Sequence, residues 1–142
     1  MLNKMKQINS YLTFNGNCRE AMNFYQECLS GELFLQTIGE SPMSGMMPSE
    51  MKYNILHATL TNGNVKIMGS DMVDEKGLLR GNALSMMLDC GSEIEIREIY
   101  DRLAAGGNAT HPLENTFWNA LFGGLTDKFG NRWLLNFNKN QS

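Results

Sequence analysis

Asn17-Cys18-Arg19-Glu20 and Ser92-Glu93-Ile94-Glu95 stand 75 positions apart in a chain of 142 residues. Each reads as a capping box, in which a side chain at the helix start accepts from the amide three residues on and the Glu there reaches back. The same offset carries Leu12 to Met87, Tyr25 to Tyr100 and Gly31 to Gly106. Two helices of about three turns therefore start and stop alike, each closed by a glycine able to take the left-handed turn after a helix. One such coincidence would mean little; several at one spacing point to a duplicated unit.

Strand-forming runs flank both helices. Ile8 to Phe14 and Ala83 to Asp89 precede them, and Glu32 to Thr37 and the shorter Asn108 to His111 follow. Each copy then closes on a hairpin. Tyr53 to Thr61 turns through Asn62-Gly63-Asn64 into Val65 to Gly69, and Phe117 to Thr126 turns through Asp127-Lys128-Phe129-Gly130 into Arg132 to Phe137. The turn glycines are 67 apart rather than 75, so the first copy carries an insertion. It is the segment 40–51, where Met43, Met46, Met47 and Met51 lie among prolines, serines and a glycine. Methionine-rich loops repack readily, which suits a lid, a dimer contact or a disordered excursion.

The chain is thus read as one domain, residues 1–142, made of module one (about 7–70), a linker (about 71–81) and module two (about 82–138), with frayed ends at 1–6 and 139–142. The fold class is α+β: two tandem β-α-β-β-β modules forming curved sheets around a cavity, with the helices outside. Each half alone leaves an apolar sheet face uncovered, and pairing the halves encloses a volume suited to a small ligand.

Composition excludes several partners. Hydrophobic residues make up 42 % and charged residues 19 %, the balance of a globular protein. No apolar run approaches the roughly 20 residues of a membrane span, and the N-terminal stretch lacks the apolar core of a secretory signal. A cytoplasmic protein with no membrane partner is expected. The net charge of −3, without a Lys/Arg cluster, excludes nucleic acid as a partner. Cys18, Cys28 and Cys90 form no CxxC pair and read as reduced, partly buried thiols.

Tyr11-Leu12-Thr13-Phe14-Asn15-Gly16-Asn17, Ala21 with Phe24-Tyr25, Ile55-Leu56-His57-Ala58, Thr116-Phe117-Trp118 with Phe122-Gly123, and Leu125 through Trp133 together resemble the PhnB-like branch of the vicinal-oxygen-chelate superfamily. That superfamily includes glyoxalase I, bleomycin and fosfomycin resistance proteins and extradiol dioxygenases. The resemblance implies the duplicated fold, a homodimer and a small-molecule ligand. Members of the branch are often labelled 3-demethylubiquinone 3-methyltransferases. The label finds no support in this chain, because no Gly-x-Gly follows a strand and opens a helix here.

The superfamily's usual chemistry, as the resemblance implies it, holds a divalent metal with His and Glu side chains from the first and last strands of each copy. Counting from the helix tyrosines gives Ser10 and Ser85 at the first-strand positions. Counting from the turn glycines gives Ile67 and Leu134 on the last strands, or Met68 in place of Ile67 if the first copy slips by one. None suits a hard cation, so no chelated metal and no cofactor are expected. Two hydroxyls and two aliphatic groups would leave an apolar cavity with small polar groups.

His57 is the one histidine in a firmly read strand. As a general base it would need a neighbour to orient it; the alternatives are pocket lining and a structural histidine. Asp71, just after a last strand, reads either as a residue at the site mouth or as a turn or cap. Trp118 and Phe122 read as one face of a strand, either core or ligand platform. Glu114 reads either as a rim charge or as a solvated hairpin residue, and His111 as a loop residue. The leading functional reading is binding of a small, mainly apolar organic molecule without the usual metal. The alternative is a metal-independent lyase, isomerase or dioxygenase-like enzyme using His57.

Overall fold

A computed structural model of the chain describes residues 6–141. Residues 1–5, most of the N-terminal stretch read as frayed, lie outside the described range. The chain divides into two compact units, Met1–Leu78 and Leu79–Ser142.

Module one runs β1 (Ser10–Thr13), α1 (Cys18–Leu29), β2 (Glu32–Thr37), β3 (Ile55–Asn62) and β4 (Val65–Ser70). Module two repeats the order with β5 (Met86–Asp89), α2 (Glu93–Ala104), β6 (Asn108–Asn115), β7 (Ala120–Thr126) and β8 (Arg132–Asn138). The sheets run β1-β4-β3-β2 and β5-β8-β7-β6. In each, the first strand lies parallel to the last and the other pairs are antiparallel. A crossover helix is what a parallel neighbour requires.

Each helix covers one face of its own sheet. In module one Cys18, Ala21, Met22 and Tyr25 are fully buried. A side chain at Gly69 would meet the sulfurs of Cys18 and Met22 at 3.1 Å, so Gly69 and its cross-strand partner Ala58 face the helix. Leu60 and Ile67, also paired, share that face by the two-residue alternation of strands. In module two Ile96, Tyr100 and Leu103 are buried on α2, and Leu121, Leu125, Trp133 and Leu135 form the buried set of the sheet. The Tyr100 hydroxyl lies within hydrogen-bond distance of the carbonyls of Gly124 (2.8 Å) and His111 (2.9 Å), its one proton shared between them, tying α2 to β7 and β6.

Three sequence expectations are corrected, and the conformation of the segment 40–51 is added to its reading. Asn17 makes no side-chain cap; the start of α1 is instead held by Asp71, which accepts from the amides of Gly16 (2.9 Å) and Cys18 (3.0 Å). β6 extends to Asn115, and Phe117 and Trp118 belong to the turn before β7, not to a strand. The segment 40–51 is built of two 3₁₀ turns, Ser44–Met46 and Ser49–Met51. It is closed at its base by bonds from the Ile38 and Gly39 amides to the Asn54 and Lys52 carbonyls. Lys139–Gln141 likewise forms a 3₁₀ turn.

Candidate functional site

With one face of each sheet taken by a helix, the other face presents the remaining side chains. On module one the Tyr11 and His57 rings lie 6.2 Å apart. Tyr11 pairs with Met68, Met68 with Thr59 and Thr59 with Phe34, so all five share this open face. His57 Nε2 and the Thr59 hydroxyl are 3.1 Å apart. That hydroxyl is the hydrogen-bond partner of the His57 ring, and a carboxylate to orient a general base there is lacking among the described residues.

On module two, Met87 pairs with Leu134, and Leu134 with Gly124. Phe122 and Asn136 pair on the same face. Here the β6–β7 hairpin and its turn border a cleft of about 450 Å³, lined by His111, Pro112, Glu114, Asn115, Thr116, Phe117, Trp118, Phe122, Gly123 and Leu134. Its walls are chiefly aromatic and aliphatic, with one imidazole and one carboxylate, the composition of a small-molecule site.

Three expected site residues thus meet in one place: Trp118, Phe122 and Leu134. His57 and Met68 share the open face of module one. The other four are placed elsewhere. Ser10 and Ile67 pair with each other on the helix-facing side, where Ile67 is buried. Ser85 is exposed, just before β5. Asp71 is 4 % exposed, and beyond its two bonds at the start of α1 its second oxygen accepts from the Ile55 amide at 2.8 Å. It is an internal cap, not a residue of a site mouth.

The misplacement of Ile67 has a simple cause. The first hairpin closes in two residues, Asn62 pairing with Val65, whereas the second spans Asp127 to Asn131 between the paired Thr126 and Arg132. Counting from the glycines therefore slips by one, and a one-residue slip moves a side chain to the opposite face. The open-face pairs are Tyr11 with Met68 and Met87 with Leu134. A phenol, two thioethers and an alkyl group do not fit the imidazole and carboxylate set of a chelated divalent metal. Among the described residues no group of three or more His, Cys, Asp or Glu could hold a metal ion.

Sequence reasoning missed His111, Pro112, Asn115, Thr116 and Phe117, and left Glu114 between a rim charge and a solvated residue; it is exposed and lines the cleft. The usable signal was Phe117-Trp118 between Thr116 and Asn119, two aromatics set in turn-forming residues. Trp133, by contrast, is core: its Nε1 donates to Asp127 Oδ2 at 2.8 Å. The thiols are unsuited to chemistry, since burial pushes both Cys18 and Cys90 up to about 12, with Asp71 and Glu95 respectively adding to the effect. Among the described residues no helix is long and apolar enough to cross a membrane.

Comparison with known proteins agrees with this architecture. The family model described as 3-demethylubiquinone-9 3-methyltransferase matches residues 6–136. Protein YjdN of Escherichia coli (strain K12) is 34 % identical, over 94 % of this chain and 97 % of that protein. Among solved structures, a PhnB protein from Bacillus cereus is 28 % identical with a TM-score of 0.69, covering 93 % of this chain and 99 % of that one. A glyoxalase/bleomycin resistance protein/dioxygenase family enzyme from Burkholderia phytofirmans PsJN, at 13 % identity, shares the fold with a TM-score of 0.63, over 91 % and 97 % of the two chains. The chain therefore belongs to the family described as 3-demethylubiquinone-9 3-methyltransferase, within the PhnB-like branch of the glyoxalase and bleomycin-resistance fold.

Proposed function

We propose that this protein binds a small, mainly apolar organic molecule in the cleft of module two, without a chelated metal. The observation that carries the reading is the cleft itself, whose apolar wall (Phe117, Trp118, Phe122, Leu134) meets His111 and Glu114 at about 450 Å³. That size falls within the roughly 300–1,000 Å³ of small-molecule sites. The methyltransferase activity in the family's description is not part of the proposal, because neither strand-to-helix turn carries the glycine pattern of a nucleotide-type cofactor. On the family resemblance, the working form is proposed to be a cytoplasmic homodimer, which sedimentation equilibrium would test.

A thermal-shift screen of small organic molecules, run with and without divalent metals, tests the reading. A ligand present at about 100 times its Kd stabilises the folded state by about 2.7 kcal/mol, so hits raise Tm by several degrees. Leu134→Trp fills the cleft and is expected to abolish the ligand-induced shift while the variant stays folded. Hits whose shift survives Leu134→Trp, or that require added metal, overturn the proposal.

A further inference from the structure

The turn between β6 and β7 holds two large aromatic side chains in water, Phe117 at 97 % and Trp118 at 49 % exposure. Exposure of that kind has no folding advantage, yet the turn is fixed from several directions. Asn119 sits at φ +64°, the left-handed region that non-glycine residues enter at a cost. The Thr116 amide donates to the Ala120 carbonyl at 2.9 Å, and the Ala120 amide returns a bond to the Thr116 hydroxyl at 3.1 Å.

The C-terminal 3₁₀ turn then straps the hairpin. The Asn119 side-chain amide donates to Asn140 Oδ1 at 2.7 Å, the Lys139 amide to the Asn119 carbonyl at 3.1 Å, and Lys139 Nζ to Asn115 Oδ1. The result is a continuous aromatic shelf. Phe117 and Trp118 meet at 4.9 Å with planes at 89°, and Trp118 and Phe122 at 6.2 Å with planes at 68°. Neither neighbour stacks parallel to the indole, and His111 and Glu114 line the same cleft.

We infer that the cleft selects a flat conjugated ring carrying a hydrogen-bonding group, stacked along Trp118 with its polar edge toward His111 and Glu114, and that Lys139 and Asn140 are positioning residues for this shelf. The inference rests on the proposed small-molecule reading of the cleft and names the ligand class. A saturated molecule needs only apolar area, which flexible side chains supply as well. Parallel-offset stacking needs a ring held at a fixed angle, and rigid anchors reduce the entropy lost on binding.

Calorimetry with naphthalenemethanol and its fully hydrogenated counterpart tests the inference. The aromatic probe is expected to bind about tenfold tighter. Trp118→Leu should remove that preference, the aromatic probe losing affinity by several times more than the saturated one. Asn140→Ala should weaken the aromatic probe severalfold with Tm unchanged, a result that a merely structural strap would not produce. Equal binding of both probes overturns the ring selectivity and leaves the small-molecule cleft standing; binding of neither overturns both. An Asn140→Ala protein that binds the aromatic probe like the wild type overturns the positioning role.

Discussion

Module one and module two share strand order and pairing, yet they secure their helices by different means. In module two the start of α2 is local: the Glu95 amide donates to the Ser92 hydroxyl at 3.1 Å, and Glu95 accepts from the Gly91 amide at 2.8 Å. In module one the cap comes from the far end of the module's sequence, just after β4. Asp71 joins the β1–α1 loop and the start of β3, accepting from Gly16, Cys18 and Ile55. The topology is held constant while the polar groups that complete it are exchanged, because any acceptor at the helix start satisfies the orphan amides. One module gains a local cap; the other gains one that exists only when β4 is docked.

The largest effect that could break this comparison is at Asp71. Asp71→Ala leaves three backbone donors without their acceptor, two of them in buried bonds. At about 1–3 kcal/mol for each unsatisfied buried group, urea unfolding should report a loss of about 3 kcal/mol or more. Ser92→Ala removes one cap bond at an exposed helix start and should cost about 1 kcal/mol. Equal losses in the two variants would mean that solvent satisfies the module one amides, and the contrast would collapse.

A smaller effect tests what the modules share. Gly31 and Gly107 both follow a helix and press on the end of the third strand of their module. A side chain at Gly31 would overlap the Thr61 carbonyl, and one at Gly107 the Thr126 carbonyl. Gly31→Ala and Gly107→Ala should each destabilise by about 2 kcal/mol. Gly31→Ala should be the worse of the two, since Gly31 also holds φ +108°. A neutral Gly107→Ala would show that the second module tolerates a looser seat for its helix.

These contrasts also explain what could be read in advance. The helices were legible because their ends carry local sequence signals, a polar residue, a Glu three residues on and a glycine at the close, even though in module one Asp71 rather than Asn17 completes the cap. The site was legible only where the assumed register kept a residue on its correct face. Leu134 and Phe122 were placed correctly, but Ile67 was not, because Gly63 and Gly130 anchor turns of different length. Asp71 was ambiguous because its partners Gly16 and Cys18 are more than fifty positions away. Phe117 and Trp118 have strong β-propensity and so were drawn into the strand beside them. Lys139 and Asn140 read as a frayed tail since the groups that order them, Asn115 and Asn119, are over twenty positions distant.

The smallest effect concerns a property the modules hold in common despite their different caps. Cys18 and Cys90 each lie near the start of their module's helix, and burial raises both thiols from 9.0 to about 12. A folded-state value above the unfolded one means that this stability is fully present below about pH 9 and is lost as pH rises toward 12, since only the unfolded chain ionises in that window. Across that window each thiol therefore makes the protein less stable as the pH rises. Burial raises Tyr100 as well, with Asp101 adding to it, so the alkaline slope of the wild type is not due to thiols alone. Comparing urea unfolding at pH 8 and pH 10 in Cys18→Ala and Cys90→Ala isolates them. Each variant should lose less stability across the interval than the wild type, and by a similar amount. An unchanged slope in Cys18→Ala beside a reduced one in Cys90→Ala would mean that the long-range Asp71 cap lets water reach the first thiol, and that local and distant caps seal a helix start to different degrees.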